Sequence, residues 1–399
     1  MLDRRSLIRD GLFGAAGLAS LGPLGLGPSD LHAQTAFAPA DAIEPIMLRP
    51  DRMFRVSVCL RPFRARGPRI ERERIGSKQV VHHYGHGGSG WSLCWGSAEE
   101  AVPLALATGA KEIAVIGAGV IGMTTAIAAQ RMGAKVTIYT KDRFPDVRSG
   151  RATGTWSPHS RIAMEGTVDA AFQTRWERMT RRTFAVHQSF LGRPGDPVEW
   201  LDRYSLSDIP FAKRPHTAVA LPGGGQDHFV DYDDQVKDLS PRQDALPAGA
   251  YPFHAPFARR TTTLMYNVAS LFHELENDFQ VAGGRFVPLQ LRGPEDFARV
   301  REKTIINCIG FGAREVLKDE SVIPVRGQLA WLLPQPGARY GLQYRNVSLL
   351  SRRDGIVIQH QGTDESDGFN DANELPDYDV ARASIATLAP LFLPPAAAG

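Results

Sequence analysis

Apolar and polar positions alternate with a period of two through Met53-Phe-Arg-Val-Ser-Val-Cys-Leu60, which predicts a strand, and Gln79-Val-Val-His-His-Tyr84 predicts a second. Between them Arg69-Ile-Glu-Arg-Glu-Arg74 alternates in sign, as a solvated strand face does. Ser97-Ala-Glu-Glu100 has the form of a capping box, opening a helix that runs to about Thr108 and stops at Gly109, with a kink expected at Pro103. A strand over 112–116, a helix from Val120 to Arg131 ended by Gly133, and a strand Lys135-Val-Thr-Ile-Tyr139 follow as one βαβ unit.

Farther along, residues 169–191 place Phe172, Trp176, Met179, Phe184 and Phe190 on or near one helix face. Residues 205–260 are rich in Pro, Gly and Asp, so short strands and loops are expected there. A helix is predicted from Thr263 to Phe279 and a strand over Arg285–Leu291. Lys303-Thr-Ile-Ile-Asn-Cys-Ile309 reads as a buried parallel strand ending at Gly310. Gln328–Leu333 and Gly355–Gln359 predict strands of a second sheet, and Asp379–Leu388 a final helix. The class is α/β, with one parallel sheet and one mixed or antiparallel sheet.

The first 38 residues stand apart from this pattern. Asp3-Arg-Arg-Ser-Leu-Ile-Arg9 precedes a weakly apolar Gly11–Gly27 stretch, with small residues at Ala33, Ala36 and Ala38. That is the build of a twin-arginine export signal, which implies passage through the twin-arginine translocon and a periplasmic or secreted enzyme. The run is short and broken by Pro23, which argues against a spanning helix. About 360 residues remain, enough for two lobes with cores of their own.

A net charge of +3 gives no ground for a nucleic-acid partner. Cys59, Cys94 and Cys308 lie in apolar runs without metal-ligand spacing, so they read as core residues and no metal is expected. In an oxidising compartment a Cys59–Cys94 disulfide stays open as an alternative.

The chemistry lies in two glycine-rich segments. Glu112-Ile-Ala-Val-Ile-Gly-Ala-Gly-Val-Ile-Gly122 is a dinucleotide-binding fingerprint in its proper strand–turn–helix context. Gly117 makes the tight turn, Gly119 admits a pyrophosphate close to the backbone, and Gly122 admits the helix to the sheet. Asp142 is the candidate for the adenosine ribose, with Lys141 beside it as a departure. The second segment, Tyr84-Gly-His-Gly-Gly-Ser-Gly-Trp-Ser-Leu-Cys-Trp-Gly96, precedes the first.

Together with Cys59-Leu-Arg-Pro-Phe-Arg64 and Val81-His-His-Tyr-Gly-His-Gly-Gly88, it resembles the closing block of the D-amino-acid oxidase family of FAD enzymes, with His83 where an Asn is usual. Asp142-Arg-Phe-Pro145, Arg151-Ala-Thr-Gly-Thr-Trp-Ser-Pro158, Ile306-Asn-Cys-Ile-Gly310 and Pro324-Val-Arg-Gly-Gln328 resemble further blocks of that family. The closing block comes first here, so the chain looks like a circular permutant of the fold. The resemblance implies an FAD lobe at 77–162 and 264–318. It implies a substrate lobe at 46–76, 163–263 and 319–399.

It also implies roles. FAD would be held by Gly117, Gly119, Val120, Ile121 and Gly122, by Asp142, Arg143, Ser149, Ala152, Gly154 and Thr155, and by Leu291 and Gly310. Gly87, Gly88, Ser89, Gly90, Trp91 and Ser92 would supply free N–H groups for the negative charge reaching the flavin, with His86 also among the cofactor-binding residues. Arg61 would pair with a substrate carboxylate, and Tyr340 and Tyr344 would place hydroxyls over it. In an alternative register Ser348 takes the place of a pocket tyrosine and only Tyr344 remains. Gln359 and His360 stand where the family has a Gly-Gly pair; His360 is either a base or a structural histidine.

These features imply oxidation of the carbon beside an amine in an amino-acid-like substrate, with O2 or another acceptor taking the electrons. A D-amino acid is the default substrate. Oxidation of another amine or modified amino acid, or a flavin-binding module without turnover, remain open.

Overall fold

The computed structural model describes residues 43–211, 218–222, 224–241, 243–362 and 366–392, so the expected export signal lies outside the described residues. In chain order come β1 (Met53–Phe63), β2 (Arg69–Ile75), β3 (Lys78–Tyr84), α1 (Gly90–Leu106), β4 (Glu112–Ile116), α2 (Val120–Arg131) and β5 (Lys135–Thr140). Next are α3 (Ala170–Gln188), β6 (Val198–Ser207), the short β7 (Val219–Ala220) and β8 (Gln226–Asp227), β9 (Asp244–Leu246), β10 (Phe257–Tyr266) and α4 (Val268–Val281). Then follow β11 (Arg285–Pro288), β12 (Thr304–Asn307), α5 (Gly312–Val316), β13 (Ile323–Leu332), β14 (Gly341–Tyr344), β15 (Val347–Arg352), β16 (Gly355–His360) and α6 (Tyr378–Leu388).

Six strands in the order β11-β5-β4-β12-β3-β2 form a sheet that is parallel except for its edge strand β2. Its β4 and β12 are buried almost throughout and read as continuous apolar runs, as strands covered on both faces must. Helices α1 and α2 pack on it, and Met123, Ala126, Ile127, Trp95, Ala98 and Val102 share one core. Eight strands in the order β1-β13-β16-β15-β14-β6-β10-β9 form the second sheet. There β1 pairs with β13 in antiparallel register, Arg61 opposite Val325, and β14 runs parallel to β6.

Several sequence expectations shift. Helix α1 begins at Gly90, not at Ser97, because the segment before Ser97 is buried against α2 and α3 and tertiary packing starts the helix earlier. Ser97 Oγ instead donates to the Cys94 carbonyl and meets His86 Nε2 at 3.0 Å. Thr263–Tyr266 is strand, not helix, because β10 continues its pairing with β6 down to Tyr266 opposite Val198. Between the long strands β6 and β10, the described residues hold only the short β7, β8 and β9, as the composition of that stretch predicts. Strand β2 lies in the six-stranded sheet, although the boundary at residue 76 assigns it to the other lobe. Its charged face is exposed as the sign alternation predicts. All three cysteines are thiols, so Cys59 and Cys94 are not joined.

Candidate functional site

A cleft of about 700 Å³ runs between the two sheets. One wall is backbone. Gly117 follows β4 with φ +100, and a Cβ there would lie 2.6 Å from the Cys308 carbonyl. A Cβ on Gly122 would sit 1.8 Å from the Gly117 carbonyl, so the first turn of α2 closes onto the strand only with glycine. Val120 N–H donates to Ser149 Oγ at 2.9 Å, and Ala118 N–H donates to Thr140 Oγ1 at 3.2 Å. Gly119 and Ile121 line the cleft at the N-terminus of α2, an arrangement that receives phosphate.

The second glycine segment meets the first here. Gly87 has φ +54, and a Cβ would fall 1.8 Å from the Arg161 carbonyl; at Gly88 it would meet Ser160 Oγ at 2.6 Å. The segment does not offer six unengaged N–H groups as expected. Gly87 N–H donates to Pro62 O, Gly88 to Ser160 O, Ser89 to His86 O and Ser92 to Ser89 O. The close packing that demands glycine also satisfies those donors. Gly90 and Trp91, the first residues of α1, have no such backbone acceptor among the described residues and line the cleft. Two helix N-termini, α1 and α2, thus open on one cavity, and neither carries an acidic residue in its first turn.

His83, His86 and His187 are buried beneath this wall. Burial pushes His86 down to about 3 and His187 down to about 4, and it holds His83 well below the usual imidazole range. His83 Nδ1 shares a hydrogen bond with Thr125 Oγ1 at 2.9 Å. These rings are neutral packing groups at neutral pH.

The third side is the segment 151–155, whose residues Ala152, Gly154 and Thr155 line the cleft. Gly154 (φ +93) passes within 2.5 Å of the Tyr266 carbonyl, measured from the Cβ it lacks. Sequence reasoning missed the group that fixes this segment. Arg352, almost fully buried, donates through Nη1 to the carbonyls of Ala152 (2.7 Å) and Thr153 (3.2 Å) and pairs with Asp354. Only the side on which Arg352 falls within β15 reveals it. Trp156 turns outward from the cleft onto Phe184.

The eight-stranded sheet forms the roof, and its register decides which side chains enter. Gln343 opposes Ser348, and Ser348 opposes Gln359, so the three share a face. Ser348, Gln359 and Gln361 line the cleft together with Arg61, Arg203 and Gly327. Arg61 Nη1 donates to the Arg326 carbonyl at 3.0 Å, and its guanidinium lies over Gly327. Burial lowers its pKa, opposed by Cys59 and Asp367.

Tyr340 and Tyr344 do not reach the cleft. Positions 340, 342 and 344 share the opposite face, where they pack with Tyr204, Phe253 and α6. Tyr340 Oη donates to the Glu44 carbonyl (2.9 Å) and Tyr344 Oη to Asp208 (2.8 Å). Of the alternative register only the Ser348 part holds: Ser348 lines the cleft, while Tyr344, the tyrosine expected to remain, is turned away. His360 falls one residue beyond Gln359 and faces away; Asn346 and the Gly362 N–H hold its ring, which leaves it structural.

Of the remaining expected residues, Asp142, Ser149, Leu291 and Gly310 line the cleft, as do His86 and Val120. Arg143 does not: it pairs with Glu276 and stacks over Phe286. Gly122, Ser89 and Ser92 support the wall from behind; Ser89 Oγ donates to Ser160 O, and Ser92 Oγ accepts from Ser157 N–H. A glycine cradle with one helix N-terminus for pyrophosphate and another for a second electron-rich group fits FAD.

The family described as FAD dependent oxidoreductase matches residues 112–398, and the chain belongs to it. A D-amino-acid oxidase of Rubrobacter xylanophilus is 40% identical over 226 residues, covering 54% of this chain and 57% of that protein. A D-amino acid oxidase of Dugesia ryukyuensis is 23% identical over 272 residues, covering 66% of this chain and 73% of that protein. Among solved structures, iminodiacetate oxidase from Chelativorans sp. BNC1 aligns at 15% identity with a TM-score of 0.44, over 70% of this chain and 79% of that one.

Proposed function

We propose that this FAD-dependent oxidoreductase oxidises the carbon beside the amine of an amino-acid-like substrate anchored by Arg61. The observation that supports it is the meeting of α1, α2 and Arg61 at one cleft. FAD supplies the hydride acceptor when bound. The protein's part is to orient and to neutralise. The substrate loses hydride from carbon and a proton from nitrogen to become an imine, and the electrons pass on to O2 or another acceptor. Gly90 and Trp91 N–H groups at the α1 terminus stabilise the negative charge that arrives, from a rigid, water-poor site. Arg61 fixes a carboxylate through its fork. A D-amino acid is the first substrate to try, which the two oxidases reported above support.

Arg61→Ala tests the reading. Hydrogen bonds to a charged group are worth about 1.5–3 kcal/mol, so kcat/KM for carboxylate substrates falls roughly tenfold to 150-fold while the FAD spectrum is retained. Arg61→Lys recovers part of it, since a point charge lacks the planar fork. Normal turnover by Arg61→Ala, or a best substrate without a carboxylate, refutes the assignment. A yellow protein that no amine reduces supports a binding module instead.

Two further proposals concern the chain as a whole. The order of blocks is read as a circular permutation: β1 lies beside β13 across 265 residues of sequence, β3 lies beside β12, α1 packs on α2, and the family match begins at residue 112. A re-permuted chain that starts at residue 112 and carries residues 43–106 at its end should bind FAD; failure to fold counts against the idea. Export by the twin-arginine route to the periplasm rests on Arg4, Arg5 and the stretch that follows. Replacing both arginines by lysine should keep a reporter fused to residues 1–38 in the cytoplasm.

A further inference from the structure

The roof of the cleft changes character along two adjacent strands. Leu350 of β15 and Val357 of β16 pack with Leu329 and Trp331 as an apolar cluster. Two residues away on the same face, Ser348 and Gln359 stand directly opposite each other and line the cleft. Apolar side chains at these positions would simply extend the cluster. The polar pair instead meets the space where a substrate must lie.

Gln359 is held from the cofactor side. Thr153, whose carbonyl Arg352 fixes, donates through Oγ1 to Gln359 Oε1 at 2.8 Å. With its oxygen engaged, the carboxamide turns its Nε2 donors away from Thr153. Among the described residues nothing accepts from Nε2, and the hydroxyl of the buried Ser348 has no hydrogen-bond partner. Polar groups in such a place are costly until another molecule completes them. The patch itself is uncharged: Thr153, Ser348 and Gln359, with Leu329 beside Gln359 in register.

Arg61 sets the distance. Its guanidinium lies over Gly327 of β13, two residues before Leu329, which pairs with Gln359 of β16. Two residues along a strand and one strand across make roughly 8 Å on the sheet, within the span of one amino acid whose carboxylate Arg61 holds. We propose that Gln359 and Ser348 set the side-chain specificity of the reaction, selecting a substrate whose side chain carries a neutral oxygen, as a carboxamide or hydroxyl does. That oxygen accepts from Gln359 Nε2, and Ser348 Oγ completes the contact. The inference rests on the amine-oxidation reading for its chemistry, though not for the binding. A pocket built to hydrogen-bond its ligand rejects an apolar isostere strongly, because its own groups are then left unpaired. A carboxylate side chain brings a charge to a patch with no charged member.

The test uses the FAD-loaded protein and three acids that lack the amine beside the carboxylate and so are not oxidised: succinamate, its apolar isostere isocaproate, and succinate. Calorimetry and the flavin visible spectrum report binding. Succinamate should bind at least about tenfold more tightly than either of the others. Gln359→Met keeps the length of the side chain and removes the donor. It should bring succinamate to within about twofold of isocaproate, and Ser348→Ala should narrow the gap less. In turnover, asparagine should exceed leucine in kcat/KM by a similar factor. If Gln359→Met fails to retain FAD, Ser348→Ala and the wild-type series decide. Equal binding of the three acids, tighter binding of succinate, or a succinamate preference that survives both substitutions overturns the proposal. A Gln359-dependent preference without flavin reduction by any amine sinks the oxidation reading alone. Rapid oxidation of leucine with no preference among the three acids sinks this one alone.

Discussion

The two walls of the cleft are built on different principles. The six-stranded half presents backbone: glycines at 87, 88, 117, 122 and 154 let segments approach closer than any Cβ permits. The eight-stranded half presents side chains on a pleated face, where a shift of one residue exchanges every group for its neighbour. A cofactor common to a family is recognised by geometry that only glycine allows. A substrate is recognised by whichever side chains the register turns inward. The first half therefore tolerates little substitution, and the second can change its ligand without changing its fold.

The comparison breaks most sharply at Gly122. Its Cβ would fall 1.8 Å from the Gly117 carbonyl and 3.5 Å from Cys308 Cβ, a backbone collision that no rotamer relieves. Gly122→Ala should yield protein without bound FAD, read from the ratio of visible to ultraviolet absorbance, with a Tm lowered by many degrees. Retention of a full flavin complement would show that the cradle is softer than its packing indicates.

Arg352 joins the two halves and gives the next largest effect. It sits on the roof sheet, yet two of its hydrogen bonds go to carbonyls of the segment that lines the cofactor side. Removing one partner of a buried ion pair costs about 3–5 kcal/mol. Arg352→Met should lose roughly that much stability in urea denaturation and weaken FAD retention as well. A loss under about 1 kcal/mol would mean that the 151–155 segment is held by its own turns.

Legibility in the sequence follows the same division. The fingerprint at 117–122 and the elements 112–139 were readable because glycine positions and apolar runs report backbone constraints directly. Tyr340 and Tyr344 were misplaced because residue type does not say which face of a two-residue period meets the cleft. Ser348, kept as the alternative, followed from one register; Arg203 and Gln343 gave no signal until β6, β14 and β15 were paired. The start of α1 was missed because a capping box at Ser97 is a local preference, whereas burial of Trp91 to Ala98 is a tertiary one. The supposed string of unengaged N–H groups at 87–92 failed for a related reason: glycines that permit close approach bring acceptors with them.

Acid should separate the halves next. His86 and His187 both belong to the six-stranded half, are fully buried, and stay neutral when folded, with values of about 3 and about 4 caused chiefly by burial. Unfolded, they titrate near 6.5. Between those values the unfolded chain binds more protons, so their stabilisation is complete above about pH 6.5 and is lost as pH falls. At pH 5 the loss is about 2 kcal/mol for each ring. Urea denaturation at pH 7.5 and 5 should show it, and His187→Phe should reduce the difference by about 2 kcal/mol. An unchanged difference would assign the acid sensitivity to carboxylates instead.

The smallest effect comes from the far face of the roof. Tyr344 Oη donates to Asp208, and that hydrogen bond, with Arg345 also on the carboxylate, holds Asp208 below the usual carboxylate range. The pair lies on the α6 side, away from the face that carries Ser348 and Gln359. Tyr344→Phe removes one side-chain hydrogen bond near the surface, worth about 0.5–1.5 kcal/mol, and leaves the Ser348–Gln359 face untouched. Its kcat/KM should stay within about twofold of the parent, and its stability should fall by no more than about 1.5 kcal/mol. Ser348→Tyr, a change on the opposite face of the neighbouring strand, should instead alter substrate choice at nearly constant Tm. Were Tyr344→Phe to lower kcat/KM tenfold with FAD intact, β14 would have to present its even-numbered residues to the cleft. Gln343, Ser348 and Gln359 would then be on the wrong side of the sheet.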